Sequence, residues 1–558
     1  MEHRRGGIGW YERYARGHGR SRPLALAGVL LATNGCAALE ANRRFAGTIA
    51  GDAFAPTRPA AANYGTGNLA CPAGGLYRQV ADALPAAAKK TGAPEVKGDG
   101  RLCALAETFS GWTGAKAPPE SLTRQVAWHF GLTGAAPRLS TAIFDTEDVS
   151  LMVEPLLEVL SGFGKTAAAP RFGLSADVLP KVDRTALVRT RVVLTMMDDA
   201  LDLDAIPRAL PANGLAKLSG RLLGGAANAT VLSCDPAGKL QTAEQQGTTF
   251  AVDLKCGERP GVLQVEVRAE KAGAAVVLAR FPIACGVPAA SGFKIPPAAP
   301  ADASAQERRL FDLMNAERAA SGAPALLWDD SIRAVARSAS TSLSIQASGQ
   351  SAPFDLVAQL RQAGTVSPLV LQNPVVAASP DEASALLLTS AVNRSNALNP
   401  SATHAAVGAV VAPDRGGGSL TYFTEILIRQ QPAIDVEELR GKLRASIAQK
   451  RAAAGAAALA SDPILEQVAQ KYAAELLSSG GALSKEREGD IIAPLYKGYR
   501  SINLVSGAKP EPLEFAEEPR VLGPSSLVGV GAAQGASPTL GKNTVYVVII
   551  VGSKAPSK

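Results

Sequence analysis

The sequence predicts an α+β protein of several domains, in which one layered unit recurs three times around an all-β segment. Three observations carry this. A glycine is followed at fixed offsets by an aspartate, an apolar residue and an alanine in three places: Gly92, Asp99, Leu102, Ala106; Gly322, Asp329, Ile332, Ala336; and Gly455, Asp462, Leu465, Ala469. Each copy closes on two apolar runs joined by a turn. The chain has 558 residues, 47% hydrophobic and 19% charged, a globular composition with room for about three to five domains.

The N-terminus reads as an export signal. Residues 1–22 hold six Arg and two Glu, +4 of the formal net charge of +7. The uncharged apolar stretch Pro23–Thr33 follows, too short to span a bilayer. Gly35-Cys36 then resembles a bacterial lipoprotein signal, with lipid on Cys36; ordinary cleavage after Ala38 is the alternative. Residues 1–35 are thus a signal peptide and 36–70 an irregular tether. No later stretch is long and apolar enough to cross a membrane. The charge that remains makes no basic stripe, which argues against nucleic acid as a partner.

Each repeat is built alike. Ahead of Gly322, Leu310, Leu313 and Met314 recur at helical spacing, and glycine ends a helix cheaply in the left-handed region. Asp329 sits where a second helix starts and can cap its free N–H groups. The closing apolar runs, 172–178 with 186–196, 406–412 with 420–428, and 527–533 with 544–551, read as β-hairpins. The repeats take residues 71–208, 304–430 and 436–553. Between the first two, residues 212–290 read as short strands at 218–223, 230–233, 249–254, 262–267 and 275–281, a small β-sandwich. Residues 291–303, rich in Pro and Ala, read as a linker.

Cysteine usage fits an exported chain. Cys71 with Cys103 and Cys256 with Cys285 are the expected disulfides, each closing about thirty residues. Cys234 is left odd, and its pairing with either neighbour stays open.

The middle copy resembles the CAP family (cysteine-rich secretory proteins, antigen 5, pathogenesis-related 1). The resemblance rests on Asn315-Ala-Glu-Arg318, Gly322 and Trp328-Asp329, on Ser390-Ala-Val-Asn393-Arg394-Ser-Asn396 through Pro400, and on Val407-Gly408 with Thr421-Tyr422-Phe423. It implies tandem α-β-α sandwich modules. It also implies a cavity with two His and two acidic residues, which in some members binds a divalent metal. Here the first His position falls on Ala339 and the second on Asn393, and the Glu position on Gln372 beside Asn373. The last repeat has Tyr472 and Ile502 at matching places, and the first has Phe109. Only His129 and His404 lie beyond the leader, in different repeats, so no repeat can build a two-His site. No metal and no cofactor are expected.

Other catalytic patterns fail. Gly164-Lys-Thr166 lacks the earlier glycine of a phosphate loop, because Val159 stands there. There is no Gly-x-Ser-x-Gly and no Cys-x-x-Cys. Arg394, Asn396 and His404 could contact a ligand; pinning a loop explains the first two equally well. The expectation is a non-catalytic envelope protein, membrane-held through Cys36 or secreted, that binds a protein, glycan or lipid. The alternative is a secreted hydrolase using Asp381, Glu382 or Glu425 as acid and base. Asp381-Glu382 follow Ser379-Pro380, a helix start, where carboxylates also serve as caps.

Overall fold

The computed structural model describes residues 47–554, apart from 51, 52, 57, 66, 68, 93, 113–116, 181–187, 414–418, 431 and 510. The expected signal peptide, Cys36 and residues 414–418 between the expected hairpin strands lie outside the described residues. The chain forms two compact units: residues up to Pro300 with Ala320–Gly322 and Ala377–Leu398, and Ala301–Ala319 with Ala323–Val376 and Asn399–Lys558. No helix among the described residues is long and apolar enough to cross a membrane.

Three four-stranded sheets share one strand order. The first unit holds Lys97–Gly98, Pro170–Leu179, Arg189–Asp198 and Arg138–Phe144, in that spatial order. The second unit holds Leu327–Trp328, His404–Pro413, Ser419–Ile428 and Val370–Ala377 in the middle module. Its last module holds Ala460–Ser461, Leu527–Ser537, Gly541–Lys554 and Tyr499–Gly507. In each sheet a two-residue strand lies parallel to the first hairpin strand, and the hairpin strands are antiparallel.

The repeated residues explain the repeated geometry. Gly92, Gly322 and Gly455 have φ of 66°, 70° and 67°, the left-handed turn that lets the first helix of each pair stop. Asp99, Asp329 and Asp462 then accept N–H groups of the next helix, from Arg101, from Ser331, and from Ile464 and Leu465. The short strand just before each aspartate fixes a common register: Gly98 pairs with Phe172, Trp328 with Ala405 and Ser461 with Val528. Three residues beyond that pair stand Gly408 and Gly531, against which the helix backbone is seated. A Cβ on Gly408 would lie 2.2 Å from the carbonyl carbon of Ala336, and one on Gly531 2.2 Å from that of Ala469. Small residues at these places set the helix-to-sheet distance.

A second device is shared by only two copies. Arg318, 0% exposed, donates to the carbonyls of Pro324, Asn399 and Ala402 at 2.7, 3.0 and 3.4 Å. Arg451 does the same for Ala457, Val521, Gly523 and Ser525 at 2.8 to 3.3 Å. Both sit four residues before the turn glycine, where the first copy has Ala88.

The all-β segment lays two sheets over one core. Ala209–Leu210, Ala274–Cys285, Gly261–Lys271, Ala227–Cys234 and Leu240–Gln245 make one sheet; Thr249–Lys255, Leu215–Leu222 and Leu201–Leu203 make the other. Leu218, Phe250 and Leu254 from one sheet share a cluster with Val231, Val265 and Phe281 from the other. The strand Leu240–Gln245 escapes a reading by apolar alternation because its sequence, LQTAEQ, has almost none.

The stretches read as an irregular tether and a linker are not irregular throughout. Ala53–Pro56 pairs with Gly47–Ala50 on one side and Phe293–Lys294 on the other, and Asn63–Tyr64 pairs with Ile206–Pro207. Ladder hydrogen bonds made far along the chain, which local composition does not encode, order these segments. Cys71–Cys103 and Cys256–Cys285 are bonded, with Cα separations of 5.4 and 5.6 Å. Cys234 is buried and bonded to none of the other described cysteines, and burial pushes its thiol up to about 12, which makes it inert.

Candidate functional site

Of the positions expected for a His-based cavity, Ala339, Tyr472 and Phe109 carry buried core side chains, while Asn393 and Ile502 are half-buried. Ala339 is 3% exposed on the helix Asp330–Ala347 and offers no donor atom. Tyr472 is buried on Pro463–Ser479 and donates its hydroxyl to Glu488 Oε1 at 3.0 Å. Burial first, then that acceptor, raises its phenol to about 12. Phe109 is buried and stacks on Phe54 with ring centroids 5.4 Å apart. Ile502 is half-buried against the apolar core of the last module. Asn393, half-buried, lies in the helix Ala391–Leu398 with its N–H on Ser390 Oγ at 3.4 Å; Arg394 is buried and Asn396 half-buried in the same helix. Among the described residues no three His, Cys, Asp or Glu side chains gather as a metal site.

The acidic candidates divide by their surroundings. Glu382 is buried, and its two oxygens accept the N–H groups of Ala378 and Glu120, each at 2.8 Å, while Ser379 Oγ accepts the N–H of Glu382 at 3.3 Å. This is helix capping. Glu425 is different. On its strand, Thr424 accepts from Ser340 of the helix Asp330–Ala347 at 3.1 Å, and Thr421 donates to Gln306 of the helix Ala303–Ala320 at 3.1 Å. Alternation therefore points even-numbered side chains at one helix and odd-numbered ones at the other. Glu425 falls on the Ala303–Ala320 side, 2% exposed, accepting from Asn373 Nδ2 at 3.0 Å. Burial pushes its carboxyl up to about 7, against the lowering effect of the Asn373 amide. Gln372, one residue before Asn373, points to the other face, so Gln372 and Glu425 do not share a site.

His404 opens the strand His404–Pro413, half-buried, with Nδ1 3.0 Å from Thr403 Oγ1. Burial lowers its pKa; Asp329 raises it and Lys542 lowers it further. His129, in the first unit, is core packing: its Nε2 lies 2.9 Å from the carbonyl of Arg58, and its ring meets Phe130 edge-on at 5.0 Å. An open cleft of about 530 Å³ in the second unit is lined by Arg361, Gly364, Val366 and the turn Ala536–Thr539 with Gly541. It offers room for a ligand, one charged side chain and no acid–base pair. The helix-hairpin frame, the Asn315 side chain clasping Leu326 through both its N–H and C=O at 3.1 and 2.8 Å, and the Asp329 cap carry the motifs of the middle module.

Residues 311–427 form a domain of the cysteine-rich secretory protein family, CAP. The CAP domain takes a minority of the chain. An extracellular protein containing an SCP domain from Bacillus anthracis str. Ames is similar at 18% identity and a TM-score of 0.19, over 32% of this chain and 64% of that one. This chain thus spans less than two thirds of that protein. A cysteine-rich secretory protein from Staphylococcus aureus subsp. aureus Mu50 is similar at 11% identity and a TM-score of 0.19, over 38% of this chain and 85% of that one. No curated protein matches the chain.

Proposed function

We propose that this chain is an exported, non-catalytic envelope protein. Lipid on Cys36 anchors it, and the CAP domain with two degenerate CAP-like modules and a β-sandwich binds a protein, glycan or lipid. The observation that carries this reading is the replacement of the first His position by buried core side chains in all three copies: Ala339, Tyr472 and Phe109. The disulfides Cys71–Cys103 and Cys256–Cys285 support export, because such bonds persist in oxidising compartments. Several weak sites on one chain would gain apparent affinity through effective concentration. Two of the three acids of the hydrolase reading are engaged otherwise: Glu382 is held as a cap, and Glu425 is buried against the helix Ala303–Ala320.

The test is made on the intact mature chain. Zinc calorimetry is expected to give no stoichiometric binding, and peptidoglycan, ester and peptide substrates no turnover. Turnover abolished by Glu425→Gln or Glu382→Gln would establish the hydrolase instead. Mass spectrometry of the mature N-terminus is expected to find acylated Cys36; a free Leu39 start would end the anchoring part and leave export standing.

A further inference from the structure

The part of the middle module in the second unit buries two glutamates, Glu307 and Glu425, and they are treated differently. Glu307, 0% exposed, faces two guanidinium groups, Arg333 at 2.8 Å and Arg337 at 2.6 Å. Glu425 has the neutral amide of Asn373. The fold does not demand a carboxyl there. Glu425 pairs with Val407, two residues beyond the register position Ala405; the matching hairpin pairs are Val530 with Ile549 and Leu174 with Leu194. Ile549 and Leu194 are buried hydrocarbon.

We propose that Glu425 makes the middle module an acid-tightened clasp: with its carboxyl protonated the sheet stays closed on the helix Ala303–Ala320, and loss of that proton to solvent loosens the helix from the sheet. A neutral acid accepts the Asn373 amide and sits in the core at modest cost, whereas a carboxylate there would need compensation. None is supplied. From the helix Ala303–Ala320 the buried charges are Glu307, matched by Arg333 and Arg337, and Arg318, held by three carbonyls. The strand His404–Pro413 brings only His404, opposite Ile428. The strand Val370–Ala377 has no ionisable side chain, and Tyr422 points to the other face. Burial and the Asn373 amide alone set the titration of Glu425.

The folded carboxyl titrates at about 7 and an exposed one at its ordinary 4.5. The clasp's contribution is therefore complete below pH 4.5 and is lost as pH rises to about 7. Hydrogen exchange on the intact chain at pH 5 and pH 8, corrected for intrinsic exchange, tests it. Opening of residues 303–320 and 419–428 is expected to rise on the order of a hundredfold across that range in the wild type and to stay flat in Glu425→Gln. Equal pH dependence in both proteins would overturn the clasp. If Glu425→Gln does not fold, isotope-edited infrared spectroscopy of the wild type decides. A protonated glutamate carbonyl band surviving to pH 6.5 is expected, and complete ionisation by then would overturn the proposal.

Discussion

The middle and last modules of the second unit have the same backbone plan and bury different chemistry. Both set a helix backbone against a hairpin glycine, Gly408 or Gly531, and both staple a loop with a buried arginine, Arg318 or Arg451. The middle module then buries Glu425, Thr424 and Ser340 where the last has Ile549, Val548 and Ala473. The comparison separates two classes of residue within one chain. Those that hold the backbone path recur in these two modules: the glycines on which a helix backbone is seated and the arginines that satisfy several carbonyls at once. Those that chemistry would require are exchanged freely for core-filling side chains.

The largest effect should come from the arginine staples. Arg318→Ala or Arg451→Ala leaves three or four buried carbonyls without a donor, at a cost of about 4 kcal/mol. Hydrogen exchange is expected to report the loss in the edited module first; equal loosening of both modules would show that they open as one. Next comes Glu425→Leu, which copies the apolar choice of the last module. It should stabilise the middle module by about 3 kcal/mol at pH 8 and little at pH 4.5, read from urea denaturation followed by exchange at each pH. The reverse import, Ile549→Glu, should make the last module lose stability as pH rises. Gly408→Ser should cost about 2 kcal/mol because the new Cβ meets the Ala336 carbonyl carbon. In the first module the same register position is Ser175, so Ser175→Gly should cost less than about 1 kcal/mol. The caps are expected to matter on a similar small scale: Asp329→Ala and Asp462→Ala should cost about 1 kcal/mol each.

Much of this plan was legible in the sequence. The glycine, aspartate, apolar and alanine spacing read correctly as helix end, cap and second helix, since each of those residues answers a local backbone need. The hairpins showed in their apolar runs, and both disulfides in their loop lengths. The fourth strands, Arg138–Phe144, Val370–Ala377 and Tyr499–Gly507, were not legible, because half-exposed edge strands carry weak alternation. That Ala339, Tyr472 and Phe109 offer no imidazole is plain from residue identity alone. The setting of Glu425 could not: an acid within Phe423–Ile428 looks the same in one dimension whether it faces a cavity or a helix, and only the Asn373 partner and the facing Gln306 resolve it.

The helices Pro380–Leu387 and Ala391–Leu398 fall within the CAP stretch of the sequence, yet belong to the N-terminal unit. There Ala391 packs on Leu232 and Cys234, and a Cβ on Gly238 would lie 2.5 Å from that of Leu398. This has a consequence in time. A chain emerges from the ribosome N-terminus first, and upstream domains usually finish before downstream ones begin. Here Leu232 waits for its cover until Ala391 has been synthesised. A chain released early, anywhere between the two, would keep its β-strands and lack their cover, the state in which a nascent protein most needs a chaperone.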